Sequence, residues 1–124
     1  MIYEGEVKVL EILWKAGDMT AKDLAIKLEE SSGWKQTTSY TVFNRCVKKG
    51  LIKRIGTDFT CRAMITREEA QKQEIEILTN KMFNNTSDLL VASLLDSSKM
   101  TASQIDELRR MIEEKMQEFA ADEF

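Results

Sequence analysis

The stretch from Thr37 to Lys48 carries side chains that could hydrogen-bond to the edges of nucleic acid bases. In a helix that turns about 100° per residue, Thr41, Asn44 and Lys48 fall within about 40° of Thr37, and Arg45 lies at about 80°. Threonine can contact bases or a thymine methyl, asparagine bonds adenine, and arginine bonds guanine. The spacing therefore predicts a helix that presents one polar face to DNA.

The other side of this helix is apolar. Between about 140° and 280° lie five residues expected to face the core, namely Ser39, Val42, Phe43, Cys46 and Val47. We expect the helix to run from about Thr37 to Lys49. Such a separation of faces is typical of a helix that packs on one side and faces solvent or a partner on the other.

Charge is distributed unevenly along the chain. The net charge of the whole chain is −3, but residues 1–63 sum to +3 and residues 64–124 to −6. Between Trp34 and Arg62 one acid, Asp58, accompanies seven basic residues: Lys35, Arg45, Lys48, Lys49, Lys53, Arg54 and Arg62. A local basic patch on an acidic protein indicates a polyanion partner for that part, or else a solvated charged face.

Two amphipathic helices precede the polar one, and a basic hairpin follows it. The first helix is EGEVKVLEILWKAG, and the second, MTAKDLAIKLEESSG, has Thr20 as its expected N-cap. After the third helix, the pattern of LIKRIGTDFTCRAMI predicts two strands joined by a turn at Gly56 to Asp58. This order predicts a mainly α fold that begins with a winged helix-turn-helix of three helices and a two-stranded wing, over residues 1–66.

In that fold the third helix lies in the major groove and the wing follows the DNA backbone. The candidate DNA-binding residues are Thr37, Thr38, Tyr40, Thr41, Asn44, Arg45, Lys48, Lys53 and Arg54. Tyr40 lies at the edge of the polar face, where it could equally belong to the core. Trp14 and Trp34 are expected to anchor the core. Lysines on the helix end and on the wing would attract phosphates, which supplies affinity but no sequence information.

Residues 67–124 read as three helices that we interpret as a dimerisation domain. The helix after Thr66 opens with a Thr66/Glu69 capping box, SDLLVASLLDSS is short and nearly apolar all round, and the last helix opens with a Thr101/Gln104 capping box. Candidate dimerisation residues are Leu78, Met82, Leu90, Leu94, Ile105, Leu108, Ile112 and Met116. The expected partner is a second copy of the chain, although these helices could instead pack back on residues 1–65.

Composition argues against several classes of protein. Histidine is absent, and the two cysteines, fifteen positions apart, do not make a zinc site; both are expected to be reduced core thiols. No glycine-rich phosphate loop or clustered set of acids indicates an enzyme, so we expect no catalytic activity, metal or cofactor. No apolar run is long enough to cross a membrane, and the first residues do not resemble a signal peptide. We therefore expect a cytoplasmic protein.

The motifs through Gly50 resemble the penicillinase-repressor family (BlaI/MecI/CopY type). The residues that match the family pattern are Glu6, Trp14, Thr20, Ala21, Trp34, Thr38, Thr41, Arg45, Lys48, Lys49 and Gly50. The match is looser in the wing, and after Thr66 it is one of length and helix pattern. The resemblance implies a homodimeric transcriptional repressor whose N-terminal winged helices bind a pseudo-palindromic operator and whose C-terminal helices intertwine.

The chain departs from the family pattern at several points. Lys35-Gln36 stands where relatives have Ser-Pro, and Thr37 and Tyr40 stand where relatives have two basic residues in the third helix. Ser93-Leu94 replaces the Asn-Phe bond that is cut in the penicillinase and methicillin-resistance repressors. The C-terminal cysteine cluster of the copper-responsive branch is also missing. The inducing signal is therefore not predicted, and neither is the operator.

A winged-helix protein-interaction module is the alternative to a DNA-binding repressor. Winged helices sometimes bind proteins, and the short apolar stretch from Leu89 to Leu95 could dock another partner. DNA binding should weaken steeply with salt, whereas apolar docking should not.

Overall fold

The computed structural model describes residues 1–97 and 99–122. Across these residues the first half contains three helices and three short strands, and the second half contains helices alone. In chain order the elements are α1 (Glu4–Ala16), β1 (Met19–Thr20), α2 (Ala21–Ser32), α3 (Gln36–Lys48), β2 (Ile52–Ile55), β3 (Thr60–Ala63), α4 (Arg67–Met82), α5 (Ser87–Ser97) and α6 (Ala102–Asp122). The predicted winged helix-turn-helix, three helices followed by a wing, is confirmed. The expected extension of the last two helices over Ser98, Glu123 and Phe124 lies outside the described residues.

Side-chain caps explain why several helices begin where they do. The hydroxyl of Thr20 accepts a hydrogen bond from the backbone N–H of Asp23 at the start of α2. Thr66 and Glu69 exchange two hydrogen bonds at the start of α4. Thr101 and Gln104 do the same at the start of α6. These are the capping boxes that the sequence predicted. Gly33 ends α2 in the left-handed conformation, with φ of 70°.

The sheet has one strand more than the sequence predicted. All pairings are antiparallel in the order β1-β3-β2, so the predicted hairpin of β2 and β3 gains a two-residue strand on its other edge. Met19 lies opposite Cys61 and Thr20 opposite Thr60. A strand of two residues has no periodicity to detect, and it forms only because folding brings the turn after α1 against β3. This contact ties the wing to the helices.

The core of the first half lies between α1, α2, α3 and the sheet. Its fully buried residues include Leu10, Leu24, Leu28, Phe43 and Cys46. Cys61 is also buried, and both cysteines are free thiols, as expected. Val47 is a correction, because it was expected in the core but is 39% exposed. It sits at the margin of the apolar arc, in the last turn of α3, where it is only partly covered.

Two compact units divide the described chain, residues Met1–Leu78 and the residues from Thr79 on. The division falls within α4. The first part of α4 belongs to the winged-helix unit, where Arg67 pairs with Glu11 and the backbone N–H of Ile2 donates to Glu74. The Trp14 indole N–H donates to the carbonyl of Ile65 just before α4. Within the described residues no helix combines the length and apolarity needed to span a bilayer.

Candidate nucleic-acid interface

The two faces of α3 differ as the sequence predicted. The buried residues are Ser39, Val42, Phe43 and Cys46. The exposed residues are Gln36, Thr37, Thr38, Thr41, Asn44, Arg45, Val47 and Lys48. The exposed set includes six of the candidate DNA-binding residues. A continuous polar surface one helix long is therefore open to a ligand, and the buried face fixes its orientation relative to α1 and α2.

Tyr40 belongs more to the core than to this surface. It is half-buried, and its ring packs against those of Phe43 and Phe59, with centroid separations of 5.4 and 6.2 Å. Phe59 immediately precedes β3. The ring of Tyr40 thus connects α3 to the turn of the wing, and aromatic pairs of this kind contribute about 0.5–1.5 kcal/mol beyond burial.

The wing presents two basic side chains. Lys53 and Arg54 in β2 are both exposed. The guanidinium carbon of Arg54 lies 4.5 Å from the centroid of the Phe59 ring, a stacked cation–π arrangement. Lys53 lies opposite Arg62 of β3 in the strand register.

A buried carboxylate holds two of the basic residues near the end of α3. Glu6 in α1 is 0% exposed, and its Oε2 accepts from Nε of Arg45 at 2.8 Å while its Oε1 accepts from Nζ of Lys49 at 2.7 Å. Oε1 also accepts from the backbone N–H of Tyr3 at 2.8 Å. Burial alone would raise the pKa of Glu6, but the bonds from Lys49, Tyr3 and Arg45 outweigh it and hold the pKa below its usual value. Glu6 therefore stays ionised at neutral pH.

Lys49 also contacts the first residues of the chain. Its Nζ donates to the carbonyl of Met1 at 2.9 Å and lies 4.2 Å from the centroid of the Tyr3 ring. The segment that precedes α1 is thus attached to the C-terminal end of α3. In the sequence, Glu6 is distinguished only as part of the family pattern. Nothing in its spacing showed that it would be buried beside Arg45 and Lys49, which follow it by 39 and 43 positions.

The basic patch separates into paired and unpaired charges. Arg45 and Lys49 pair with Glu6, and Arg62 pairs with Asp18. In the part of the chain that the structure describes, no carboxylate lies within 4 Å of the charged nitrogens of four others: Lys35, Lys48, Lys53 and Arg54. These four cations lie on α3, at its start and on the wing. Each of these four cations can bind a DNA phosphate and release a small counterion without breaking an ion pair inside the protein.

The described residues contain no group of three or more Cys, Asp or Glu side chains placed to hold a metal ion. A surface depression of about 490 Å³ in the winged-helix unit lies beside Trp14, Asp18 and Met64. It lies away from the polar face of α3.

The candidate dimerisation residues are largely exposed in the single chain. On α6, Ile105, Ile112 and Met116 are 46%, 51% and 65% exposed, and no residue of that helix is buried. Leu78, Met82 and Leu94 are exposed, whereas Leu90 and Leu108 are half-buried. Several charged side chains of α6 pair with one another, as Arg109 does with Asp106 and Glu113. An apolar stripe along a solvent-exposed helix indicates an interaction surface.

Two known proteins are similar to this chain over nearly its whole extent. The penicillinase repressor of Bacillus licheniformis is 24% identical over 115 residues, which cover 91% of this chain and 90% of that protein. The methicillin resistance regulatory protein MecI of Staphylococcus aureus (strain N315) is 22% identical over 116 residues, covering 92% of this chain and 94% of MecI. A solved structure described as the monomeric form of Bacillus licheniformis BlaI in complex with the blaP half-operator is 24% identical and covers 56% of this chain and 87% of that one, with a TM-score of 0.49.

The sequence profile of the family described as "Penicillinase repressor" matches residues 2–114. That match spans both the winged helix and most of the helical second half. It agrees with the resemblance carried by the motifs from Glu6 to Gly50. The chain therefore belongs to the penicillinase repressor family of DNA-binding transcriptional repressors.

Proposed function

We propose that the chain is a homodimeric repressor that binds a pseudo-palindromic operator in double-stranded DNA. Residues 1–66 would bind DNA and residues 67–124 would form the dimer. The observation that carries the proposal is the polar face of α3, on which Thr37, Thr41 and Asn44 are exposed. No small-molecule cofactor or metal is part of the proposal.

The side chains of this face suit the major groove. Thr41 and Asn44 lie nearly one helical turn apart, so they would meet neighbouring base pairs. Asparagine can accept and donate at once, which matches the N6 and N7 positions of adenine. Thr37 and Thr38 lie at the start of α3, where its backbone N–H groups favour a phosphate.

The unpaired cations would hold the protein on the backbone. Lys53 and Arg54 on the wing and Lys48 at the end of α3 have no carboxylate partner in the described chain. Phosphate contacts of this kind fix the register of the protein on the duplex and make affinity strongly dependent on salt. Since an acidic second half would repel DNA, the division of charge also favours contact through residues 1–66 alone.

A dimer would present two reading helices to two half-sites. The exposed Ile105, Ile112 and Met116 supply the apolar surface that a second copy would cover. Two-fold symmetry of the protein then requires two-fold symmetry of the operator. The proposed compartment is the cytoplasm, because a repressor acts where the chromosome is accessible.

Selection of bound sequences from random duplex DNA tests this function directly. We expect the selected duplexes to share an inverted repeat, with half-sites about one helical turn apart between centres. Affinity for the selected duplex should fall steeply as salt is raised. A selection that enriches no sequence, or binding that is indifferent to salt, would contradict the proposal and favour a protein partner.

A further inference from the structure

Arg45 reaches the exposed side of α3 with one of its nitrogen donors already engaged. Its Nε donates to Glu6 at 2.8 Å, and its side chain is 44% exposed. Among the described residues, no acceptor bonds to either of its Nη groups. The outer edge of the guanidinium is therefore available to an external acceptor, while its inner edge is held.

Glu6 is well placed to hold that inner edge in one orientation. It is fully buried and is fixed by three donors, from Arg45, Lys49 and the backbone of Tyr3. Gly5 brings α1 close to the same group, because a Cβ atom at Gly5 would lie 3.6 Å from an Nη atom of Arg45. An arginine restrained in this way loses less side-chain freedom on binding than one that moves freely in solvent.

We propose that Glu6 is a positioning residue for operator recognition, which holds the guanidinium of Arg45 so that its two Nη groups address a guanine. This inference rests on the proposed function. Guanine offers O6 and N7 side by side in the major groove, a pair that suits two parallel N–H donors. A phosphate is the less suitable partner, because Glu6 offsets the charge of Arg45 and a phosphate contact depends on charge more than on orientation.

The decisive variant is Glu6→Gln in the full chain. Glutamine keeps the shape of the side chain and can still accept from the Tyr3 backbone, but it cannot hold both cations as a carboxylate does. The affinities to compare are those for the selected operator duplex and for a scrambled duplex. We expect the ratio of the two to fall about tenfold, while affinity for the scrambled duplex stays equal or rises because one negative charge is lost.

This ratio separates positioning from a purely structural role. Partial unfolding of a variant lowers binding to both duplexes equally, so it leaves the ratio unchanged. Arg45→Ala should lower the ratio of operator to scrambled affinity by about the same factor as Glu6→Gln. The double variant should have a ratio no lower than that of Arg45→Ala alone. Lys49→Met is the matched control, since it removes the other cation of Glu6 and leaves the Arg45 bond; it should keep the wild-type ratio.

Two results would overturn the inference. One is a ratio of operator to scrambled affinity in Glu6→Gln that equals the wild-type ratio. The other is a further fall of about tenfold in that ratio when Glu6→Gln is added to a chain that already carries Arg45→Ala. If the proposed function itself is wrong, the result is different, because the wild-type chain would then bind all duplexes with the same affinity.

Discussion

The hydroxyl of Thr41 donates a hydrogen bond to the carbonyl oxygen of Thr37, one turn earlier in α3, with Oγ1 and O 2.9 Å apart. A threonine hydroxyl carries a single proton. In this conformation Thr41 therefore has no proton left for an acceptor on a base. What it offers an external partner is its methyl group and the remaining lone pair of its oxygen.

Two substitutions at Thr41 distinguish the methyl from the hydroxyl. If the methyl contacts a thymine, Thr41→Ser should weaken operator binding about fourfold, which corresponds to ~0.8 kcal/mol for one buried methyl group. Thr41→Val keeps that methyl and should stay within about twofold of the wild type. Titrations on the selected duplex measure both affinities. A larger loss of affinity for Thr41→Val than for Thr41→Ser would show that the hydroxyl makes the contact.

Lys53 and Arg54 should contribute affinity but not sequence preference. Replacing either by alanine should weaken binding to operator and scrambled duplexes equally, because a phosphate is present at every position of DNA. The slope of log affinity against log salt should flatten by about one phosphate per subunit.

A control for these wing variants is Lys15→Ala, which replaces an exposed lysine in the last turn of α1 that is not a candidate DNA-binding residue. It should leave the salt dependence unchanged. A change in the ratio of operator to scrambled affinity for Lys53→Ala would mean that the wing reads bases as well.

The apolar stripe of α6 should form the dimer. Ile112 is 51% exposed in the single chain, so burying a lysine in its place against a second copy would be costly. We expect the wild type to sediment as a dimer at micromolar concentration and Ile112→Lys to sediment as a monomer with much weaker operator binding. Gln117→Lys adds the same charge about 140° away around the helix, and it should remain dimeric. A monomeric wild type would refute the dimer.

The two buried thiols should make stability fall at high pH. Burial raises the pKa of Cys46 to about 12 and that of Cys61 to about 11, from the ordinary value of 9.0. Because the folded-state values are the higher ones, this contribution to stability is complete below pH 9 and is lost as pH rises toward 11 to 12. Each thiol can lower the free energy of unfolding by at most about 1.4 kcal/mol per pH unit in that range.

Denaturant unfolding of the wild type and of Cys46→Ala, measured from pH 8 to pH 11, tests this expectation. The variant will be less stable throughout because it leaves a cavity. The informative quantity is the dependence on pH, which should be shallower in Cys46→Ala than in the wild type. Parallel curves for the two proteins would show that Cys46 ionises with the same pKa in both states.

Local patterns in the sequence were sufficient to predict most of the helical architecture. The caps at Thr20, Thr66 and Thr101 depend on residues three positions apart, and the two faces of α3 follow from the period of a helix. These features are encoded within one element, so they can be predicted without knowledge of the fold. The family pattern from Glu6 to Gly50 supplied the function that those elements serve.

Contacts between distant residues were decided by the tertiary structure alone. The pairing of Met19 with Cys61, the exposure of Val47 at the end of α3, and the position of Tyr40 against Phe59 each depend on which element lies beside which. Glu6 is the clearest case, because its sequence context is that of an ordinary acid in the first turn of a helix. Only the packing of α1 against α3 buries it and brings Arg45 and Lys49 to its two oxygens. The reason is physical: periodicity reports what one helix presents, whereas the partner of a side chain depends on how separate elements pack.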